Sequence, residues 1–304
     1  MSPILHRLVG LSAVLSLVAA GCSPDWPTTP SGTPSLSDAE ARLIGQDVAG
    51  EVEDVTGSFT LTGLLYPSFP SAGIPASSGI QRTPMANCPT IAPNPPVDSD
   101  GDRVPDDVTI SFTLPDCSFS RNGTTFEITG AIQITDPSTT DFGIRVVFTD
   151  LQHKLTQPSG AFFLSRLNGA RQALRSGAGG GFSLIDSTTA DRESSEHAAA
   201  QLAKAWVVSF VADAGQTVSH DRGLPSGDLS VQGSTTWTRG GVSHALTVST
   251  ATPLHRDAAC TSRPAFTAGE LVIVKTGPDG TVTIHVVFNG CGVEPTVTVE
   301  RSAA

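Results

Sequence analysis

The chain has 304 residues and a formal net charge of −11, with only 15% of its residues charged. A negative balance of this size excludes nucleic acid and anionic membrane surfaces as main partners, because both repel it. The low charge fraction, with Ser, Thr and Gly abundant, fits an extracytoplasmic β protein rather than a disordered acidic one.

The N-terminus opens on a short basic segment ending at Arg7, followed by an apolar run from Leu8 to Ala20. At about 13 residues that run is too short to cross a bilayer, which needs roughly 20. This is the layout of a cleaved secretory signal over residues 1–21. It ends in Ala19-Ala20-Gly21-Cys22, which resembles the lipobox of bacterial lipoproteins. The resemblance implies diacylglycerol on the Cys22 thiol and cleavage before it, although Leu is commoner where Ala19 stands. Ser23 follows, where lipoproteins retained at the inner membrane often carry Asp, so the implied destination is the outer membrane, at its periplasmic face or the cell surface. The expected membrane partner is therefore reached through the lipid on Cys22.

Residues 22–36 form the anchor and a Pro-, Ser- and Thr-rich tether, semi-extended by its prolines. Residues 37–304 are expected to form a single β-rich domain. It opens on Ser37-Asp-Ala-Glu40, a capping box. Behind it Leu43, Ile44, Val48, Val52 and Val55 recur at helical spacing, which predicts an amphipathic helix from residue 38 to about 54. After Gly57 the period becomes two, with Phe59, Leu61 and Leu65 alternating with Thr60 and Thr62.

A proline-rich excursion without periodicity follows at about 67–107. It contains Asp98-Ser-Asp100-Gly-Asp102-Arg-Val-Pro-Asp106-Asp107. Calcium takes 6–8 hard oxygen ligands, and closely spaced carboxylates supply them. The run resembles the aspartate-rich loops of thrombospondin type 3 repeats, which share ligand logic with EF-hands. That resemblance implies a structural calcium ion held by Asp98, Asp100, Asp102 and Asp106, with Asp107 compensating for Thr109 at the twelfth position. Arg103 stands where the family has the glycine of its sharp turn.

From Val108 onward, alternation predicts roughly 10–12 strands, several of them longer than the usual 5–6 residues. Ile110, Phe112 and Leu114 share one face. Later faces are carried by Ile132 and Ile134, by Trp206, Val208 and Phe210, and by Ile284 and Val286. Asn168-Gly169 predicts a hairpin, as do Arg239-Gly-Gly241 and Gly277-Pro-Asp-Gly280. Around Asn168, the residues His153, Lys154, Arg166, Arg171 and Arg175 suggest a basic docking patch, or charge protecting an edge strand. The Ala-rich segment 193–205 predicts a short second helix. Short connections imply an antiparallel meander. The expected fold class is all-β: a wide, curved sheet or half-barrel covered by the N-terminal helix.

With Cys22 acylated, Cys88, Cys117, Cys260 and Cys291 remain for an oxidising compartment. Three connectivities are possible; Cys88–Cys117 and Cys260–Cys291 are favoured because each brackets one local unit. No GxSxG, HExxH, HxxEH or P-loop occurs, and no catalytic residue is assigned. The sequence points to a non-enzymatic, lipid-anchored binding or carrier protein of the envelope, holding a hydrophobic ligand if the sheet encloses a cavity. A calcium-stabilised structural or adhesion module is the alternative, and a hydrolase with a site assembled from scattered strands is the third reading. Ligand and oligomeric state are not legible in the residues.

Overall fold

The computed structural model describes residues 35–57, 88–138, 143–176, 181–195, 198–218 and 224–303. The signal segment, Cys22, nearly all of the tether, the strand expected at 59–65 and the first part of the proline-rich excursion lie outside the described residues. The described residues belong to one compact unit, residues 33–304.

Among the described residues one helix, α1 (Asp38–Gly57), precedes the strands. The capping box forms as expected: the Ser37 backbone N–H donates to a Glu40 carboxylate oxygen at 2.9 Å, and the Glu40 N–H donates to the Ser37 hydroxyl at 3.3 Å. Two of the orphan donors at the helix start are thereby satisfied. No helix among the described residues is long and apolar enough to cross a membrane.

Among the described residues thirteen strands follow. They are β1 (Thr90–Ala92), β2 (Asp107–Phe112), β3 (Ser118–Arg121), β4 (Thr124–Thr135), β5 (Gly143–Thr156), β6 (Phe162–Ser176) and β7 (Gly181–Ser194). The second half comprises β8 (Ala200–Ala212), β9 (Gly227–Arg239), β10 (Val242–Arg256), β11 (Phe266–Gly277), β12 (Gly280–Val287) and β13 (Thr296–Ser302). All pair antiparallel in one sheet that runs in chain order, except that β2 and β3 both pair with β4, at its two ends. The sheet curves but does not close into a barrel. The expected all-β meander with an N-terminal helix is therefore the observed architecture.

Two local expectations fail. Asn168-Gly169 is not a turn: β6 runs straight through it. Gly169 has φ +111°, and a Cβ there would run into the Ser187 carbonyl of β7. Gly130 on β4 (φ +100°) and Gly233 on β9 (φ +153°) meet neighbouring backbone in the same way. The pairings Phe148↔Gly169 and Gly169↔Thr188 carry the kink from β5 to β7, with β5 shifting register between Phe148 and Leu151. These glycines bend the wide sheet, and Asn168 supports the bend by accepting the Asp150 N–H at 2.7 Å.

The second failure is the short helix expected at 193–205. Residues 193 and 194 end β7, and from Ala200 the segment is strand β8. Leu202, Lys204, Trp206, Val208 and Phe210 point inward in strict alternation and are all buried. The intrinsic helix preference of the five alanines in 193–205 is worth only tenths of a kcal/mol per residue. Pairing β8 on both edges and burying Trp206 and Phe210 outweighs it.

The core lies on the face of the sheet that carries α1. α1 packs against β12 and β13 and contributes Ile44, Val48, Val52 and Val55 to a cluster with Trp206, Trp237, Leu246, Ile273 and Ile284. Gly45 allows this approach, since a Cβ there would sit 2.8 Å from a Val297 methyl. A second cluster, on β2 and β4 to β7, contains Phe112, Ile132, Ile134, Phe148 and Leu151. The sheet's two edges are blunted differently. At β1 the strand has three residues flanked by Pro89 and Pro93. At β13 the Arg42 guanidinium of α1 donates to the Val297 carbonyl at 2.9 Å, and Arg301 donates to the Leu36 carbonyl and to Asp38. Both devices remove edge groups that would otherwise template pairing with another chain.

Candidate functional sites: an acidic loop and a buried ion cluster

The aspartate-rich loop lies between β1 and β2, inside the Cys88–Cys117 disulfide. Asp98, Asp100 and Asp102 each bring a carboxylate oxygen to within 4.8 Å of the others. Backbone N–H groups hold the loop in this form: those of Gly101 and Arg103 donate to Asp98, and that of Val104 donates to Asp102 at 2.7 Å. Arg103 takes the left-handed conformation (φ +76°) at the position where glycine occurs in the resembling loops. Val104 anchors the loop in the second apolar cluster. One Asp102 oxygen, Oδ2, is shielded from solvent and has no hydrogen-bond partner among the described residues.

The other two aspartates expected as ligands do not join this group. Asp106 folds back to Ser99, accepting its N–H at 3.0 Å and its hydroxyl at 2.6 Å; these bonds hold its carboxyl below the usual carboxylate range. Asp107 begins β2 and accepts from the Gln133 side chain at 3.0 Å. A different acid stands nearby. Asp136, just past the end of β4, has a pKa raised by burial, against a hydrogen bond from Ser138, and raised further by the charges of Asp102, Asp100 and Asp106. No sequence signal couples Asp136 to the loop; the β2–β4 pairing brings it there.

The second constellation is buried between α1 and the centre of the sheet. Glu51 pairs with both Lys204 of β8 and Arg192 of β7. Lys204 also lies 3.5 Å from Asp186, which accepts from Arg171 Nε at 3.2 Å and from the Thr188 hydroxyl at 2.6 Å. Asp54 lies 3.5 Å from Arg192 and 3.1 Å from Arg263. Aromatic faces complete the surroundings, with Lys204 5.3 Å from the Trp206 ring centre and Arg171 5.6 Å from that of Phe148.

The electrostatics follow from burial and pairing. Burial pushes the Glu51 carboxyl up, but Arg192 and Lys204 together outweigh it and hold it down at about 2. Asp54 is pushed up to about 6, by burial and then by the Glu51 charge one turn earlier. Acids in the last turns of a helix also oppose its macrodipole, and α1 carries no basic residue in its last turn. The cations of β6, β7, β8 and the 257–265 loop supply the compensation. Unpaired burial of such charges costs several kcal/mol, so the cluster fixes one position of the helix on the sheet. Glu51, Asp186 and Lys204 at the centre of the cluster are all buried, while Arg192 and Arg263 at its margin are partly exposed.

The basic patch suggested by the sequence is dispersed. It rested on a hairpin at Asn168 that does not form. Arg171 points inward to Asp186, Arg166 donates to Gln152, Lys154 faces Glu127 at 3.7 Å, and His153 is buried. Burial drives the His153 pKa down to about 4, which keeps it neutral. The Glu270 carboxylate accepts from His285 Nδ1 at 2.7 Å, and His255 pairs with Asp228 at 2.9 Å; both pairs join neighbouring strands. A cleft of about 160 Å³ beside Leu36, Lys275, Pro278 and Arg301 is below the usual size of a small-molecule site.

The favoured disulfides, Cys88–Cys117 and Cys260–Cys291, are both formed. No protein-family model, curated protein or solved structure matches the chain.

Proposed function

We propose that this is a non-enzymatic, lipid-anchored protein of the bacterial envelope whose β domain is a calcium-stabilised structural or adhesion module. The observation that carries the reading is the convergence of Asp98, Asp100 and Asp102 around the shielded Asp102 Oδ2. Three carboxylates held together with no cation repel one another, and a divalent ion relieves that repulsion. Calcium would then order the proline-rich excursion, which has little core of its own, from inside its disulfide.

The anchor is supported by the lipobox and by the cysteine pairing: two disulfides use four of the five cysteines and leave Cys22 for acylation. The structural reading is preferred to the carrier reading because α1 and the strands fill the helix-bearing face of β8 to β13 with their own side chains.

The test is native mass spectrometry and thermal unfolding of the chain purified from membranes, with calcium and with chelator. One bound calcium, a higher melting temperature and protection of residues 88–107 from protease are expected, and Asp100→Asn with Asp102→Asn removes all three. Identical melting and nicking with and without calcium would refute the calcium role. A co-purified lipid mass would favour the carrier, and a Cys22 without acyl mass would refute the anchor.

A further inference from the structure

His244 is the most enclosed ionisable group that the ion cluster does not use. It sits at an inward position of β10, with 0% of its surface exposed. Its ring stacks on Trp237, its direct partner on β9, with centroids 5.9 Å apart and planes 13° apart. Trp237 Nε1 donates to Asp47 of α1 at 2.8 Å, so the stacked pair forms part of the seat on which the helix rests. Neither ring nitrogen of His244 has a hydrogen-bond partner among the described residues.

We propose that His244 makes the seating of α1 acid-sensitive: its imidazolium cannot be housed beneath the helix, so uptake of a proton at mildly acidic pH goes with release of α1 from the sheet.

The surrounding charges support this. From α1 the nearest acid is Glu40, whose carboxylate is committed to the Ser37 backbone N–H and hydroxyl in the capping box. Asp47 reaches His244 only through Trp237, and Arg239, at the end of β9, acts on Asp47. From β11 comes Lys275, a like charge for an imidazolium. Burial, followed by Lys275, holds the His244 pKa below its ordinary value against the opposing pull of Glu40. A buried cation without an acceptor is costly, whereas in the released state the ring is hydrated and titrates normally. Protons then bind the released state preferentially as pH falls below about 6.5, and each further unit favours release by up to about tenfold until the seated ring itself titrates.

Acids on the same helix act in the opposite direction. Burial raises Asp47, Glu53 and Asp54, so their proton uptake favours the seated state. The readout is therefore a ratio between proteins rather than one pH curve. Opening constants for α1 amides are measured by hydrogen exchange, corrected for intrinsic rates, in the wild type and in His244→Phe at pH 7.5 and 5.5. The phenylalanine keeps the stack on Trp237 but cannot take a proton. The wild-type to variant ratio is expected to grow by up to about tenfold between the two pH values. A ratio that stays constant overturns the proposal, including the case in which His244→Phe merely loosens the helix equally at both. Should that variant not fold, nitrogen-detected titration of His244 in the wild type decides. A ring that stays neutral while α1 remains protected below pH 6 supports the proposal. A ring that protonates in place with the helix still seated overturns it.

Discussion

Replacing Glu51 by Gln removes the carboxylate that ties α1 to the sheet while keeping its size. Glu51 is buried and engages Lys204 and Arg192 at once. Removing one partner of a buried pair typically costs 3–5 kcal/mol, because the other charge is left uncompensated. Here Lys204 retains Asp186 at 3.5 Å and Arg192 retains Asp54 at 3.5 Å, and Asp54 is freed from the repulsion of Glu51. These place the cost at the low end, about 3 kcal/mol at pH 7. The lowered pKa of Glu51 reflects the same two pairs: a fall from 4.5 to about 2 corresponds to about 3 kcal/mol of stability. Since the folded-state value is depressed, this contribution is fully present above about pH 4.5 and is lost as pH falls through 2. Urea unfolding, followed by the fluorescence of buried Trp206 and Trp237, should therefore show a gap of about 3 kcal/mol at pH 7 that closes towards pH 2. A variant within about 0.5 kcal/mol of wild type at pH 7, with a parallel acid profile, would refute the reasoning, since surface-like changes fall in that range.

Asp54 has a folded-state pKa of about 6 against an ordinary 3.8, so the folded state gains stability as pH falls from about 7 towards 4; Asp54→Asn should abolish that gain and be no less stable than wild type at pH 7.5, measured by the same urea midpoints. Gly169→Val should destabilise by about 2 kcal/mol or more, because the left-handed backbone and the Ser187 carbonyl both exclude a branched side chain; a stability near that of wild type would mean that the sheet bend does not need glycine there. Cys88→Ser with Cys117→Ser opens a loop with a sequence separation of 29 residues, which should cost about 3–4 kcal/mol by the chain-entropy relation and expose the acidic loop to protease even when calcium is present.

Much of the architecture is written in local pattern. The capping box and the spacing of Ile44, Val48, Val52 and Val55 specify α1, since cap and stripe are both properties of a single helix. The Gly240-Gly241 and Pro278-Asp279 turns form as expected, joining β9 to β10 and β11 to β12. Both disulfides join cysteines about 30 residues apart, close enough in the chain for each to bracket a local unit. Asp98, Asp100 and Asp102 converge because their spacing brings them together without help from elsewhere in the chain.

What local pattern did not determine is what depends on neighbours distant in sequence. Asn168-Gly169 carries the composition of a tight turn, yet β5 and β7 pair with β6 on both sides and turn it into a bend in a continuous strand. Residues 200–205 prefer helix in isolation, but two flanking strands and the inward positions of Leu202 and Trp206 make them strand. Lys204 and Asp186 at inward positions of β8 and β7 mark a buried polar centre, a signal that appears only once 200–205 is strand. Their partner Glu51 lies 153 residues before Lys204, so only the docking of α1 on the curved sheet brings the pair together. A charge's partner is set by three-dimensional proximity, and in a wide meander that proximity comes from sheet curvature rather than from any period in the chain.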